Sequence, residues 1–171
     1  MRMGVGEVLA DGFDRIREVV HEAVDGLTTE QLHWRADAEA NSIAWLVWHL
    51  TRVQDDHVAG VAGTEQVWTE QGWHKRFDLP FADGEIGYGQ SSAEVAQVRV
   101  GEVQLLTDYH DAVHERSRQY VSGLRDADLD RVVDENWDPP VTLAVRLVSV
   151  LSDDLQHAGQ AAYLRGLVLR R

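Results

Sequence analysis

Apolar residues recur at intervals of three and four over four long stretches of this chain, and that period is the strongest constraint on its fold. The first stretch runs from about Val5 to Val24, with Val8, Leu9, Phe13, Ile16, Val19, Val20 and Val24 at helical spacing. Gly26 stops it, and Thr28-Thr-Glu-Gln31 has the form of a capping box that opens a short turn. The second begins at Asn41-Ser42, good N-cap residues, and carries Ile43, Leu46, Val47, Leu50 and Val53. A third is expected from Ser91-Ser92 to about Val121, through Val95, Val98, Val103, Leu105, Leu106, Tyr109 and Val113. The fourth follows Asp138-Pro139-Pro140 and runs from about Thr142 to Leu169, through Leu143, Leu147, Val150, Leu151, Ala158, Ala161 and Leu164. No strand-like alternation competes with these segments, and no internal repeat is visible.

The connections narrow the topology. A short link after the first helix favours an antiparallel pair. The link from about Gly63 to Ser91 is long and interrupted by glycines, Pro80 and the aromatics Trp68, Trp73, Phe77, Phe81 and Tyr88. So many aromatics argue for a segment packed on the bundle rather than a disordered linker. A link of that length can return the chain across the bundle and set the second and third helices parallel. The expectation is an all-α fold, a four-helix bundle with a long crossover between helices 2 and 3, as one domain over residues 1–171.

Composition excludes several functions. With 171 residues and 44% hydrophobic content, the chain can bury a core without staples. Cysteine is absent, which rules out disulfides, thiolate metal ligands and a cysteine nucleophile. Any thiol chemistry must import its thiol. The formal charge of −13 repels phosphate backbones and argues against nucleic acid as a partner. No apolar run reaches the roughly 20 residues of a membrane span. Met1 to Gly12 lacks a signal-peptide pattern, so the expected location is the cytoplasm.

Of eight histidines, two fall on apolar helical faces. His49 lies in the second stripe among Trp45, Leu46 and Val53, and His157 lies in the fourth among Val150, Ala161 and Leu164. Asp153 precedes His157 by four residues, which stacks the two side chains about 6 Å apart on one helical face. A carboxylate and an imidazole at that spacing can grip one divalent ion, and a histidine from a facing helix completes a three-ligand site with open positions. A histidine on an apolar face also occurs as a hydrogen-bonded core residue, and Asp153 also fits as a partner that orients His157. Asp154, at i−3 from His157, competes as the carboxylate. His110 and His114 form an i,i+4 pair among Asp108, Asp111, Glu115 and Arg116, which reads as a solvated face. His57 is placed near the cavity mouth, Trp45 as a pocket wall or core residue, and Gln160 as a donor behind the ligands or a packing residue.

Trp48-His49-Leu50, Asp153-Asp-Leu-Gln-His157-Ala-Gly-Gln160 and Leu164-Arg165 together resemble the DinB-like superfamily, over essentially the whole chain. That resemblance implies a crossover four-helix bundle and a divalent metal, zinc or nickel, held by His49, Asp153 and His157. Asp153 stands where most of the superfamily has a histidine, as in the branch of mycothiol-dependent maleylpyruvate isomerase. The implied activity is a metal-dependent thiol S-transferase or isomerase. Its partners would be a low-molecular-weight thiol such as mycothiol and a small electrophilic substrate. A metal-binding stress-response protein without turnover is the alternative. The resemblance also implies a homodimer, for which the aromatics of the long link offer apolar surface.

Overall fold

A computed structural model describes residues 4–171 of the chain. Residues 1–3, which the expected domain includes, lie outside the described residues. The four expected helices form as α1 (Val5–Val24), α3 (Ile43–Ala62), α7 (Val103–Ser122) and α8 (Leu143–Val168). Short helices occupy the links: α2 (Thr29–His33), α4 (Val67–Glu70), α5 (Trp73–Phe77) and α6 (Ser92–Val95). Caps fix the boundaries. Thr28 accepts from Gln31 N and donates its own N–H to Gln31 Oε1, closing the expected box. Ser42 caps α3 by accepting from Trp45 N, and Gly63 ends it in the left-handed region.

The expected third helix breaks in two. α6 is a single turn capped by Ser91, and residues 96–102 are not helical before α7 begins. Val98 and Val100 are buried while Gln97 and Arg99 are exposed, an alternation of extended backbone that overrides the helical reading. His33 Nε2 accepts from Val100 N and ties this stretch to α2. A two-stranded antiparallel pairing, β1 (Val132–Asp134) with β2 (Val141–Thr142), also departs from the strand-free expectation. Its strands are too short to leave a periodic signal.

α1 and α3 each pack against α7 and α8 and barely touch each other, so they lie across the diagonal of the bundle. Asp14 meets His114 and His21 meets Asp111, which sets α1 antiparallel to α7. Thr51 meets His110 and Val61 meets Tyr120, so α3 and α7 run parallel as the long link implied. His49 faces His157 and His57 faces Arg146, so α3 and α8 are antiparallel. Phe13, Ile16, Leu46, Leu50, Leu106, Tyr109, Leu143 and Leu147 fill the centre at full burial.

The strap between α3 and α7, residues 63–91, packs on the bundle as expected. Trp68, Trp73 and Phe77 set their rings 5.1, 5.5 and 5.6 Å from the Tyr109 ring. These aromatics are therefore buried and cannot form the docking surface expected of them; among the strap's large hydrophobics only Tyr88 is exposed.

His110 and His114 are also buried, against the solvated face expected for them. Asp111 and His114 face α1, while Glu115 stays exposed and Arg116 pairs with Glu70. Arg17 and His21 share Asp111, and His114 and Arg118 share Asp14, so the charges form an interhelical seam. His110 donates Nδ1–H to Thr51, whose own hydroxyl donates to the Val47 carbonyl. Burial lowers the His110 pKa from 6.5 to about 3. The unfolded chain therefore takes a proton at that site below about pH 6.5 while the folded chain does not. Stability falls as pH drops from 6.5 toward 3, by about 1.4 kcal/mol per pH unit from this group. Urea midpoints at pH 7 and pH 5 should differ more for the parent than for His110→Asn; equal shifts would contradict the assignment.

Candidate metal centre

His49 lies midway along α3 on the side facing α8 and is 2% exposed. Trp45, one turn earlier, stacks on its ring at 4.5 Å and 19°. The strap holds the ring from another direction, because Nδ1–H donates to the Ile86 carbonyl. Gly87 permits this approach. Its φ is +102°, and a Cβ there would sit 2.6 Å from His49 Nδ1. With Nδ1 engaged, the neutral ring offers its lone pair at Nε2. Burial holds the His49 pKa below the ordinary histidine range, which keeps the ring neutral at neutral pH.

α8 brings the other two residues. His157 Nε2 lies 3.8 Å from Asp153 Oδ1, as their i,i+4 spacing requires. Gln160 Oε1 accepts from His157 Nδ1 at 2.9 Å, so the second ring is fixed in the same tautomer as the first. The His49 and His157 rings are 4.9 Å apart. One ligand atom from each of His49, Asp153 and His157 lies within 4.8 Å of the others. A tetrahedral ion with bonds near 2 Å holds its ligands roughly 3.4 Å apart, so side-chain rotations of about 1 Å converge the three. Asp153 Oδ2 is buried without a hydrogen-bond partner. A partnerless carboxylate oxygen beside two imidazole lone pairs fits a divalent cation, and the N₂O donor set suits zinc and its neighbours.

The competing carboxylate is elsewhere. Asp154 is fully buried, neither oxygen has a partner, and it lies outside the ligand group. Burial and then the adjacent Asp153 charge push its pKa well above the usual carboxylate range. His110 and His114 join no metal-ligand group among the described residues.

Two residues outside the sequence reading complete the site's surroundings. Tyr88 sets its ring edge-on to His49 at 5.1 Å and its hydroxyl 3.5 Å from Asp153 Oδ1. Burial, then the Asp153 charge, raises the Tyr88 pKa to about 12, so it stays a neutral donor. The Ile86 carbonyl is the other. The only local signal for either was the pair of glycines flanking Tyr88. Two pockets are lined by helical neighbours of the three residues and not by the three themselves. One of about 590 Å³ includes Leu46, Gln156 and Gln160. Another of about 490 Å³ includes His57, Trp137, Arg146 and Ser149.

A crossover bundle with a histidine from one helix converging on an acid–histidine pair from another defines a DinB-like protein. The sequence matches the Mycothiol-S-transferase family over residues 8–169, and the chain belongs to that family. A crystal structure of a conserved protein from Enterococcus faecalis is similar, with a TM-score of 0.92 and 32% identity. The alignment covers 99% of this chain and 100% of that one. No curated protein is a significant match.

A metal bound at these residues would stabilise the fold by mass action, by about 2.7 kcal/mol at a hundredfold excess over the dissociation constant. Melting temperature should rise with zinc after chelator stripping, and less so as pH falls through the histidine range, where protons compete for imidazole. His157→Ala should abolish the rise, and Asp153→Asn should weaken it more than Asp154→Asn. His114→Ala should lower the melting temperature and leave the zinc response intact. An undiminished response in His157→Ala would exclude the site.

Proposed function

We propose that this chain is a metal-dependent enzyme that uses a low-molecular-weight thiol such as mycothiol, as an S-transferase or an isomerase acting on a small electrophile. The observation that carries this reading is the convergence of His49, Asp153 and His157, with Gln160, the partner of His157, lining a pocket. Cavities of this size admit small-molecule ligands, which favours turnover over a closed, purely structural ion. A divalent ion at these residues supplies the acidity that yields thiolate at neutral pH. His49, Asp153 and His157 would hold the ion with a single carboxylate among them, which would leave it net positive charge to favour an anionic sulfur. Trp45 and Tyr88 wall the site, and the Tyr88 hydroxyl donates at its rim. In transfer, the sulfur electron pair forms the new carbon–sulfur bond. The leaving group departs with its own pair, and the thiol proton passes to solvent.

The test is a conjugation screen of the zinc-loaded protein with several thiols and chlorodinitrobenzene. A rate above background with one thiol, abolished by chelator and in His157→Ala, is the expected result. Background rates with every thiol and metal would overturn the reading.

Assembly as a homodimer is part of the same reading, through α8 rather than through the strap. Val148, Leu155 and Tyr163 are exposed on α8, with Ser152, Gly159 and Ala162 between them. No exposed side chain from Arg146 to Arg165 carries a charge, in a chain of net charge −13. Such a face lets two like-charged copies meet without repulsion. Light scattering over a range of concentrations should give a dimer that Leu155→Glu converts to monomer. A parent that stays monomeric throughout would exclude it.

A further inference from the structure

We propose that Arg52 is a positioning residue for the candidate metal centre. It holds the backbone of residues 83–87 so that the Ile86 carbonyl fixes His49 with Nε2 toward Asp153 and His157. This rests on the metal reading of those three residues.

Arg52 is fully buried, one turn beyond His49 on α3. Its donors are divided between the two ends of the strap. Nη1 donates to Gln66 Oε1 at 2.8 Å, while Nε and Nη2 donate to the carbonyls of Glu85 and Asp83, each at 3.2 Å. Glu85 carries the constraint one residue further. Its Oε1 accepts from Ile86 N at 3.0 Å and Gly87 N at 2.7 Å, closing a tight turn. The next carbonyl, Ile86 O, accepts from His49 Nδ1. From guanidinium to imidazole, every link is a hydrogen bond or a single peptide unit.

Arg52 forms a buried ion pair with Asp55, but that pair does not account for the direction of its other donors. The closest approach of the two groups is 3.7 Å. The Asp55 carboxylate already accepts from Val67 N, Trp68 N and the Tyr109 hydroxyl. The fork of the guanidinium is directed instead at the strap carbonyls, a geometry that an ammonium cannot reproduce.

The test uses Arg52→Lys and Glu85→Ala, with Leu147→Ala as a control destabilised in the bundle core. Glu85 is only partly buried, so its variant keeps the question answerable if Arg52→Lys does not fold. Histidine ring-nitrogen NMR on the metal-free protein reads the His49 tautomer, and zinc titration reads affinity. The parent and the control should show a single Nδ1–H tautomer. Both strap variants should show mixed tautomers and zinc affinity lower by about tenfold or more. An unmoved tautomer in both strap variants overturns the assignment. A shifted tautomer in a protein whose parent binds no zinc supports Arg52 as the orienter of His49 and overturns the metal reading alone.

Discussion

A guanidinium sealed inside the bundle joins the irregular part of this structure to its regular part. Burying a charge costs several kcal/mol unless its hydrogen-bonding capacity is met. Arg52 meets it with two strap carbonyls, one amide oxygen and the Tyr109 hydroxyl, and it lies 4.7 Å over the Trp68 ring. Asp55 holds the N-termini of α4 through two backbone N–H groups. The two charges therefore form a buried ion pair and also hold the same segment. A strap of short helices and turns has no ladder of its own. Its conformation is imposed by these polar anchors and by the aromatic packing around Tyr109.

The two histidines of the candidate centre are oriented by different means. His157 takes its tautomer from Gln160, three residues along the same helix, so any α8 that folds brings both together. His49 takes its tautomer from Ile86, across a loop and a change of direction. One half of the site is thus a local property of a helix, and the other depends on tertiary placement. Deep burial lowers the His49 pKa and keeps its ring neutral at neutral pH.

This difference also explains what could be read from the sequence. The four long helices and the parallel sense of α3 and α7 follow from helical period and link length, although the third begins at Val103 and not at Ser91. The grouping of His49 with Asp153 and His157 draws on the DinB-like resemblance as well as on the i,i+4 spacing. The choice between Asp153 and Asp154 was left open by the residues, since both spacings reach His157. The bundle separates them, because Asp154 faces the core and Asp153 the opening between α3 and α8. Arg52, Glu85, Ile86 and Gly87 were not legible, because their contacts join residues about 35 apart with no period to mark them. The His110 and His114 face was misread for a related reason. A run of charges looks solvated until a second helix of complementary charge is laid against it, as α1 is through Asp14 and Arg17.

The parallel pairing of α3 with α7 has a consequence for how the chain assembles. Parallel neighbours must wait for their long connection, and that delay adds to the separation between His49 and the α8 residues, which stand more than a hundred positions apart. Nothing local to α3 can recruit an ion while the chain is being made. A nascent chain that ends before α8 holds His49 and its strap partner Ile86, but neither Asp153 nor His157. The three-residue group is therefore a late event in biogenesis, and it reports completion of the whole bundle rather than of any segment within it.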